Sequence, residues 1–113
     1  MRLKASIFIA AVIKRVHGTG GFAAILKKGA DEAGAIYFLH RAHNGVVTLY
    51  APALQTVYGA ETDSRLFEKL ALSTDEDMSA YLKKQAQFDP DLWVVELETD
   101  ADLPFDVVTS EPL

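Results

Sequence analysis

Hydrophobic positions near the amino terminus recur at the spacing of an α-helix. At 100° per residue they fall on one face, with Lys4 and Arg15 on the other. The apolar face consists of Ala5, Ile9, Val12, Ile13 and Val16. Residues 18–21 read Gly-Thr-Gly-Gly, and glycine readily adopts the left-handed conformation that ends many helices. The pattern therefore predicts an amphipathic helix that begins after Lys4 and stops at Gly18.

Three short runs rich in apolar, aromatic and β-branched residues follow, at residues 22–27, 35–40 and 46–50. Between the last two, Asn44 and Gly45 form the dipeptide that favours a type I′ hairpin turn, which needs positive φ at both positions. Pro52 cannot donate to a strand ladder and should end the third run. We expect a three-stranded antiparallel meander over residues 22–51.

Residues 51–62 form an unusually long and apolar connection. Its apolar side chains either offer a contact surface or fold back over the sheet, and we favour the second interpretation because apolar loop residues are usually buried. The side chains concerned, including the end of the preceding strand, are Tyr50, Pro52, Leu54, Val57 and Tyr58.

Two helices are predicted after this connection. Asp63 is suited to cap a helix over residues 64–70, and Thr74 with Asp77 has the spacing of a capping box for a second one. Pro90 should stop that helix at or before Asp89. Residues 92–97 are apolar on both faces, which is typical of a strand interior to a sheet.

The carboxyl-terminal segment, residues 99–113, is acidic and either pairs briefly through residues 105–108 or frays. Together the patterns predict a single α+β domain over residues 1–113. Its expected order is an amino-terminal helix, the antiparallel meander, two helices and a further strand that joins the sheet.

Composition narrows the function classes. The chain has 113 residues and no cysteine, which excludes disulfide scaffolds, thiol catalysis and thiolate metal sites and fits a reducing cytoplasm. Residues 1–50 hold seven Lys/Arg and two Asp/Glu, whereas residues 51–113 hold four and fourteen. The basic half could bind an acidic partner, or the two halves could pair within the fold.

The apolar run at residues 5–13 resembles the core of a signal peptide. Lys14 and Arg15 interrupt it, however, and no small-residue cleavage pattern follows. Nine residues are also far fewer than the roughly 20 that a membrane-spanning helix needs. We therefore expect neither a cleaved signal nor a membrane association, and place the protein in the cytoplasm.

Several segments of the chain together carry a family resemblance. The most specific is the run Phe88-Asp89-Pro90-Asp91-Leu92-Trp93-Val94-Val95-Glu96. The others are Arg2-Leu3-Lys4, Gly21-Phe22-Ala23, Ala33-Gly34-Ala35, Leu49-Tyr50-Ala51-Pro52 and Arg65. With these segments the chain resembles a short alphaproteobacterial family catalogued as domain of unknown function 1491. Phe8 stands where the family has tryptophan, a change that concerns packing. The resemblance implies an intracellular single-domain bacterial protein with no assigned activity, so it supplies no catalytic residues.

The histidines and the late carboxylates are the candidates for chemistry. His40 and His43 could share a metal only if a third ligand such as His17 joined them, and we favour solvated loop histidines. Asp89 and Asp91 flank Pro90, where turn hydrogen bonds are more common than acid–base catalysis. We assign no catalytic, metal-binding or cofactor-binding residue. A small enzyme or metal-dependent protein that uses His40 and His43 with Asp89 and Asp91 stays as an alternative.

Nucleic-acid binding is another alternative, resting on the basic first half. Aromatic residues there could stack on bases, namely Phe22, Tyr37, Phe38 and Tyr50. The sequence pI of about 5.0 and the lack of an RNA-binding strand motif argue against it.

The glycine-rich segment 18–21 follows a predicted helix and precedes a predicted strand. A phosphate-binding loop has the reverse order, strand before loop and helix after it, so this segment does not predict a phosphate site.

Our leading hypothesis is a protein-interaction or self-associating module without catalytic activity. It follows from the lack of catalytic motifs and from three candidate surfaces: the basic half, the apolar connection and the acidic segment. The residues predicted to form the interaction surface are Lys14, Arg15, Lys27, Lys28, Arg41, Tyr50, Pro52, Leu54, Tyr58, Asp89, Asp91 and Trp93.

Overall fold

The computed structural model describes residues 3–53 and 65–108. These residues form two helices and six strands. The helices are α1 (Ala5–Gly18) and α2 (Asp75–Phe88); the strands are β1 (Phe22–Lys27), β2 (Ile36–Arg41), β3 (Val47–Pro52), β4 (Leu66–Lys69), β5 (Trp93–Glu98) and β6 (Asp106–Val108).

The six strands form one mixed sheet in the order β1-β5-β2-β3-β4-β6. β5 is antiparallel to β1 and parallel to β2. β3 is antiparallel to both β2 and β4, and β6 is parallel to β4. The predicted α+β class and the interior position of β5 are confirmed. The predicted meander over residues 22–51 is wrong in its first strand, because the doubly apolar β5 inserts between β1 and β2.

Each helix covers one face of the sheet. α1 buries the face that the helical period predicted, since Ala5, Ile9, Val12 and Val16 are each at most 2% exposed. This face packs on alternate residues of β2 and β5, among them Phe38 and Val95. The intervening residues, among them Tyr37 and Val94, form a second core beneath α2. The alternation along each strand thus divides the apolar residues between two layers.

Aromatic rings fill the middle of the α1 layer. Phe38 is fully buried and stacks on Phe105 with ring centroids 4.4 Å apart. Phe67 meets Phe38 edge-on at 5.1 Å, and Phe8 of α1 lies 5.9 Å from Phe67. The cluster therefore joins α1, β2, β4 and the segment before β6.

The helix predicted over residues 64–70 is wrong where the structure describes it, because Leu66–Lys69 forms β4. Ala51 of β3 pairs with Glu68 on one side, and Val107 of β6 pairs with Phe67 on the other. Ladder bonds on both edges and burial of Phe67 outweigh a local helical preference over so few residues. The predicted pairing of residues 105–108 is confirmed for β6. Asp63, the expected cap, lies outside the described residues.

The β2–β3 hairpin is present, but its turn differs from the type I′ prediction. Gly45 has φ of 90°, and no non-glycine residue in the described part of the chain has positive φ. Ala42 accepts a hydrogen bond from the Gly45 N–H and donates its own N–H to Val46. The Asn44 side chain instead accepts from the Val46 N–H at 3.0 Å. The loop therefore needs only one left-handed residue, the glycine.

The helix ends follow the predicted signals. α1 stops at Gly18, and Gly20, with φ of 84°, lets the Gly21 N–H return to the Val16 carbonyl at 3.0 Å. Thr74 caps α2 by accepting from the Asp77 N–H at 3.0 Å, and α2 ends at Phe88. Across residues 3–53 and 65–108 the structure has no helix long and apolar enough to cross a membrane.

Candidate functional site

The turn between α2 and β5 is a centre of hydrogen bonding. The Lys27 ammonium donates to the Pro90 carbonyl at 2.6 Å and to the Leu92 carbonyl at 3.0 Å. The Ala30 N–H donates to the Asp91 carbonyl at 2.8 Å, and the Trp93 indole N–H donates to the Ala30 carbonyl at 2.8 Å. These bonds tie the turn to the segment that follows β1.

Two glycines allow the chain to approach this turn closely. A β-carbon on Gly29 would collide with the Asp91 carbonyl oxygen and lie 2.6 Å from Leu92 backbone atoms. One on Gly34 would also collide with Asp91 and lie 2.9 Å from the Trp93 indole. The most specific run of the family resemblance is thus held by backbone contacts that only glycine permits.

The Asp89 carboxylate and the tryptophan in this turn have structural roles. Asp89 accepts a hydrogen bond from the Asp91 N–H at 3.1 Å, which confirms the predicted turn chemistry. Trp93 is 2% exposed and belongs to the α1 core, so its inclusion in the interaction surface was wrong. Its indole N–H needed a buried acceptor, which Ala30 supplies.

A cleft of about 560 Å³ lies beside the turn and is lined by residues from five of the six resemblance segments, including Lys4, Gly34, Pro52, Arg65 and Asp89. Charged groups here contact other parts of the protein. The Lys4 ammonium lies 3.5 Å from the Glu32 carboxylate. The Arg65 guanidinium donates to the Leu3 carbonyl at 3.0 Å and lies over the Phe8 ring. Separate segments of the chain therefore meet and contact one another around the cleft.

The histidines lie at the opposite end of the β2–β5 pair. His40 Nε2 is 2.8 Å from the Thr99 carbonyl oxygen, and His43 Nδ1 is 2.6 Å from an Asp100 carboxylate oxygen. Asp100 also accepts from the His43 backbone N–H at 3.0 Å. The backbone hydrogen bond from His43 lowers the pKa of Asp100 below its usual range; desolvation opposes this effect, and the side-chain bond to His43 adds to it.

This arrangement corrects the alternative of a site that combines His40 and His43 with Asp89 and Asp91. His40 pairs with Leu97, whereas Trp93, just after Asp91, pairs with Ile36. These two pairs are four residues apart along the strands, which is a distance of about 13 Å. Within residues 3–53 and 65–108, no group of three or more His, Cys, Asp or Glu side chains could hold a metal ion.

Replacing Asp100 by asparagine should remove an acid-sensitive part of the stability. Because the pKa of Asp100 is lowered on folding, its contribution is present above the ordinary value of 3.8 and is lost as pH falls through the folded-state pKa. Urea unfolding at about pH 7 and about pH 2.5 should show a smaller pH effect in Asp100→Asn than in the wild type. Asp102→Asn is the control, and equal effects in both variants would contradict the prediction.

The basic residues predicted for the surface have different environments. Lys14, Arg15 and Lys28 are exposed. Lys27 is engaged with the α2–β5 turn, and Arg41 lies 3.6 Å from the Glu96 carboxylate. The Arg41 pair joins the basic half of the chain to the acidic half.

The aromatic residues of the nucleic-acid alternative are mostly internal. Phe38 is fully buried and Tyr37 is 8% exposed, so neither can stack on a base. Burial, followed by the nearby Tyr81 and Asp89, raises the pKa of Tyr37 to about 12. Tyr50 is half-buried, meets Phe105 edge-on at 5.6 Å and has a pKa raised by burial. Phe22 alone of the four is exposed.

For the apolar connection, the structure describes only the beginning. Ala51 and Ala53 are buried, and Pro52 lines the cleft beside the turn. Leu54 and Tyr58, two predicted surface residues, lie outside the described residues, as does Val57.

Sequence reasoning missed the most apolar exposed feature, the outer edge of β1. Phe22 is 52% exposed, Ile25 46% and Leu26 54%, and no strand pairs with this edge in the described part of the chain. A run of apolar residues gives no signal of which strand will stand at the edge of a sheet. The insertion of β5 next to β1 decided this, because it moved β1 away from β2.

A groove of about 520 Å³ runs between α2 and the sheet, next to β1. Apolar side chains of both elements line it, including Leu26, Leu39, Met78, Leu82 and Val94. Tyr81 of α2 does not line the groove and packs edge-on against Tyr37 at 6.2 Å. Among residues 3–53 and 65–108, the β1 edge and this groove are two apolar features open to solvent that could serve binding.

Three solved structures share this fold. A solution structure of a protein from A. tumefaciens, a structural genomics target, is 42% identical over 100% of both chains, with a TM-score of 0.82. A crystal structure of a DUF1491 family protein from Caulobacter crescentus CB15 is 29% identical over 96% of this chain and 100% of its own, with a TM-score of 0.79.

An NMR structure of a DUF1491 family protein from the same organism is 30% identical over 96% of this chain and 98% of its own, with a TM-score of 0.79. A comparison with the curated proteins gives no match. The profile of the family described as "Protein of unknown function (DUF1491)" matches residues 3–105. This α+β chain therefore belongs to the DUF1491 family.

Proposed function

We propose that the protein is a non-catalytic interaction module that self-associates by pairing the outer edge of β1 with β1 of a second copy. The observation that carries the proposal is the exposure of Phe22, Ile25 and Leu26 along that edge. An edge strand also presents backbone N–H and C=O groups that can pair with another strand. Addition of a strand from a second copy would cover the apolar side chains and pair the backbone groups at the same time.

The β1 edge has little of the protection that isolated edge strands usually carry. Its first five residues are uncharged, and its one lysine, Lys27, directs its ammonium to the Pro90 and Leu92 carbonyls beside β5. The opposite edge of the sheet differs, because β6 has only three residues and begins with the exposed Asp106. Short length and charge are common ways to prevent edge pairing, so β1 is the favoured edge. A register shift between Ile25 and Lys27 bends only the end of β1.

A second copy is the favoured occupant of this edge on grounds of charge. The chain carries a formal charge of −5, so contact between two copies is least opposed where the touching surfaces themselves carry no charge. The segment from Phe22 to Leu26 is such a surface. Antiparallel pairing of the same strand in both subunits gives the closed two-fold arrangement that is commonest among homo-oligomers.

Replacing Ile25 by lysine should shift the protein from dimer to monomer, because two like charges would then face each other at the two-fold axis. Size-exclusion chromatography with light scattering measures the mass at low and high salt. The wild type should be a dimer at both salt concentrations, since the contact is apolar and hydrogen-bonded. Ile7→Lys is the matched control, because Ile7 is similarly exposed, at 50%, and belongs to α1 and not to β1.

Two results would overturn the proposal: a wild type that is monomeric at every concentration and salt tested, or a dimer that Ile25→Lys leaves intact. Val107→Lys extends the test to β6, where Val107 is 40% exposed. If this variant alone dissociates the dimer, the opposite edge is the interface and the assignment to β1 is wrong.

We place this function in the cytoplasm, which the lack of cysteine supports.

A further inference from the structure

We propose that the groove between α2 and the sheet binds a small amphipathic carboxylate, such as a straight-chain fatty acid of medium length. This ligand site goes beyond self-association, and it shares only Leu26 and Lys27 with β1. The groove has a volume of about 520 Å³, within the range of small-molecule sites. It follows the face of α2 from Asp75 to Ala86, about 16 Å of helix, so its shape is elongated.

The floor and walls of the groove suit an alkyl chain. Val94 and Leu39 of the sheet form the floor, and Met78 and Leu82 of α2 form one wall. Leu26 of β1 is part of the opposite wall and is 54% exposed, so apolar surface there remains open to water. An alkyl chain that covers it gains free energy by burial. Met78 adds a flexible, polarisable side chain that adapts to the shape of a ligand.

The charges at the rim favour an anionic head group. Among the residues that line the groove, Lys27, Arg41 and Lys83 are basic and only Asp75 is acidic. Lys27 donates two of its three N–H groups to neutral carbonyls, so a third donor remains for a ligand. Arg41 lies 3.6 Å from Glu96 through one nitrogen, and its guanidinium has further donors for a carboxylate.

The ligand can be detected directly at the groove wall. The chain has two methionines, Met1 and Met78, so protein labelled with ¹³C-methyl methionine reports on Met78 by a separate NMR signal. Titration with decanoate below its micellar concentration should shift the Met78 methyl signal and leave that of Met1 unchanged. Decylammonium, which has the same tail and the opposite charge, should bind at least several-fold more weakly.

Variants on the outer surface of α2 separate the groove from non-specific binding. Lys83→Glu should weaken decanoate binding about three- to tenfold, because it reverses a charge at the rim. Lys84→Glu is the matched control, since Lys84 is exposed on the same helix and does not line the groove. Ser79→Phe should block the groove, whereas Ala80→Phe, one position away and outside the lining, should leave binding unchanged.

The proposal is overturned if decanoate leaves the Met78 signal unchanged. It is also overturned if decylammonium binds as tightly as decanoate, or if Lys83→Glu and Lys84→Glu weaken binding equally. None of these variants alters β1, so loss of ligand binding with an intact dimer contradicts only the groove assignment. A monomeric protein that still binds decanoate contradicts only the β1 proposal.

Discussion

Replacing Phe38 by alanine is expected to lower the free energy of unfolding by about 4 kcal/mol. Phe38 is fully buried and stacks on Phe105 at 4.4 Å, while Phe67 meets it edge-on at 5.1 Å. Its removal would leave a cavity among elements that are distant in sequence. Because α1, β2 and β4 all contact this cluster, the surrounding chain cannot close the cavity easily.

Urea unfolding followed by tryptophan fluorescence measures this effect, since the chain has a single tryptophan and it is 2% exposed. Phe88→Ala is the matched control: Phe88 is 77% exposed, and its loss should change the stability by less than about 0.5 kcal/mol. If Phe38→Ala does not fold, Phe38→Leu should still fold with a loss of about 1 to 2 kcal/mol. Equal stability of Phe38→Leu and the wild type would contradict the packing described for this cluster.

Replacing Gly29 by alanine is expected to destabilise the protein by about 2 to 3 kcal/mol. The new β-carbon would collide with the Asp91 carbonyl oxygen and lie 2.6 Å from the Leu92 backbone. Because the obstacles are backbone atoms, relief requires moving the turn away from its partners. That movement weakens the bonds from Lys27 to Pro90 and from Trp93 to Ala30.

Gly18→Ala is the matched control for this substitution. No atom lies within 4 Å of a β-carbon built on Gly18, and Gly18 is helical, so alanine there should be neutral or slightly stabilising. Thermal unfolding of both variants and of the wild type measures the difference in stability between them. A Gly29→Ala protein as stable as Gly18→Ala would show that the turn moves aside at little cost.

Local signals were sufficient to predict α1 and α2. The apolar period and the glycines after it correctly predicted α1 and its buried face, because amphipathic spacing needs no knowledge of distant partners. Thr74 and Pro90 likewise predicted both ends of α2. The error at β4 has the opposite cause. Leu66–Lys69 is a strand because β3 and β6 pair with it, and the local sequence contains no sign of either partner.

The candidate site was less predictable than the fold. Residues chosen for their chemical interest, such as Asp89, Trp93 and His43, make hydrogen bonds within the protein. The features that could bind a partner or ligand consist of ordinary apolar residues such as Ile25 and Leu26. Composition cannot distinguish an apolar residue in the core from one at an unpaired edge, since both carry the same side chain.

The sequence by itself determined the helices with their caps, the interior character of β5 and the family resemblance, because each depends on neighbouring residues or on a recognisable segment. Only the tertiary structure decided the strand order, the formation of a strand instead of a helix at residues 66–69, and the exposure of β1. It also separated His40 from Asp91 along one strand pair. These properties depend on which distant segments meet, and the choice is made by the packing free energy of the whole chain rather than by any local pattern.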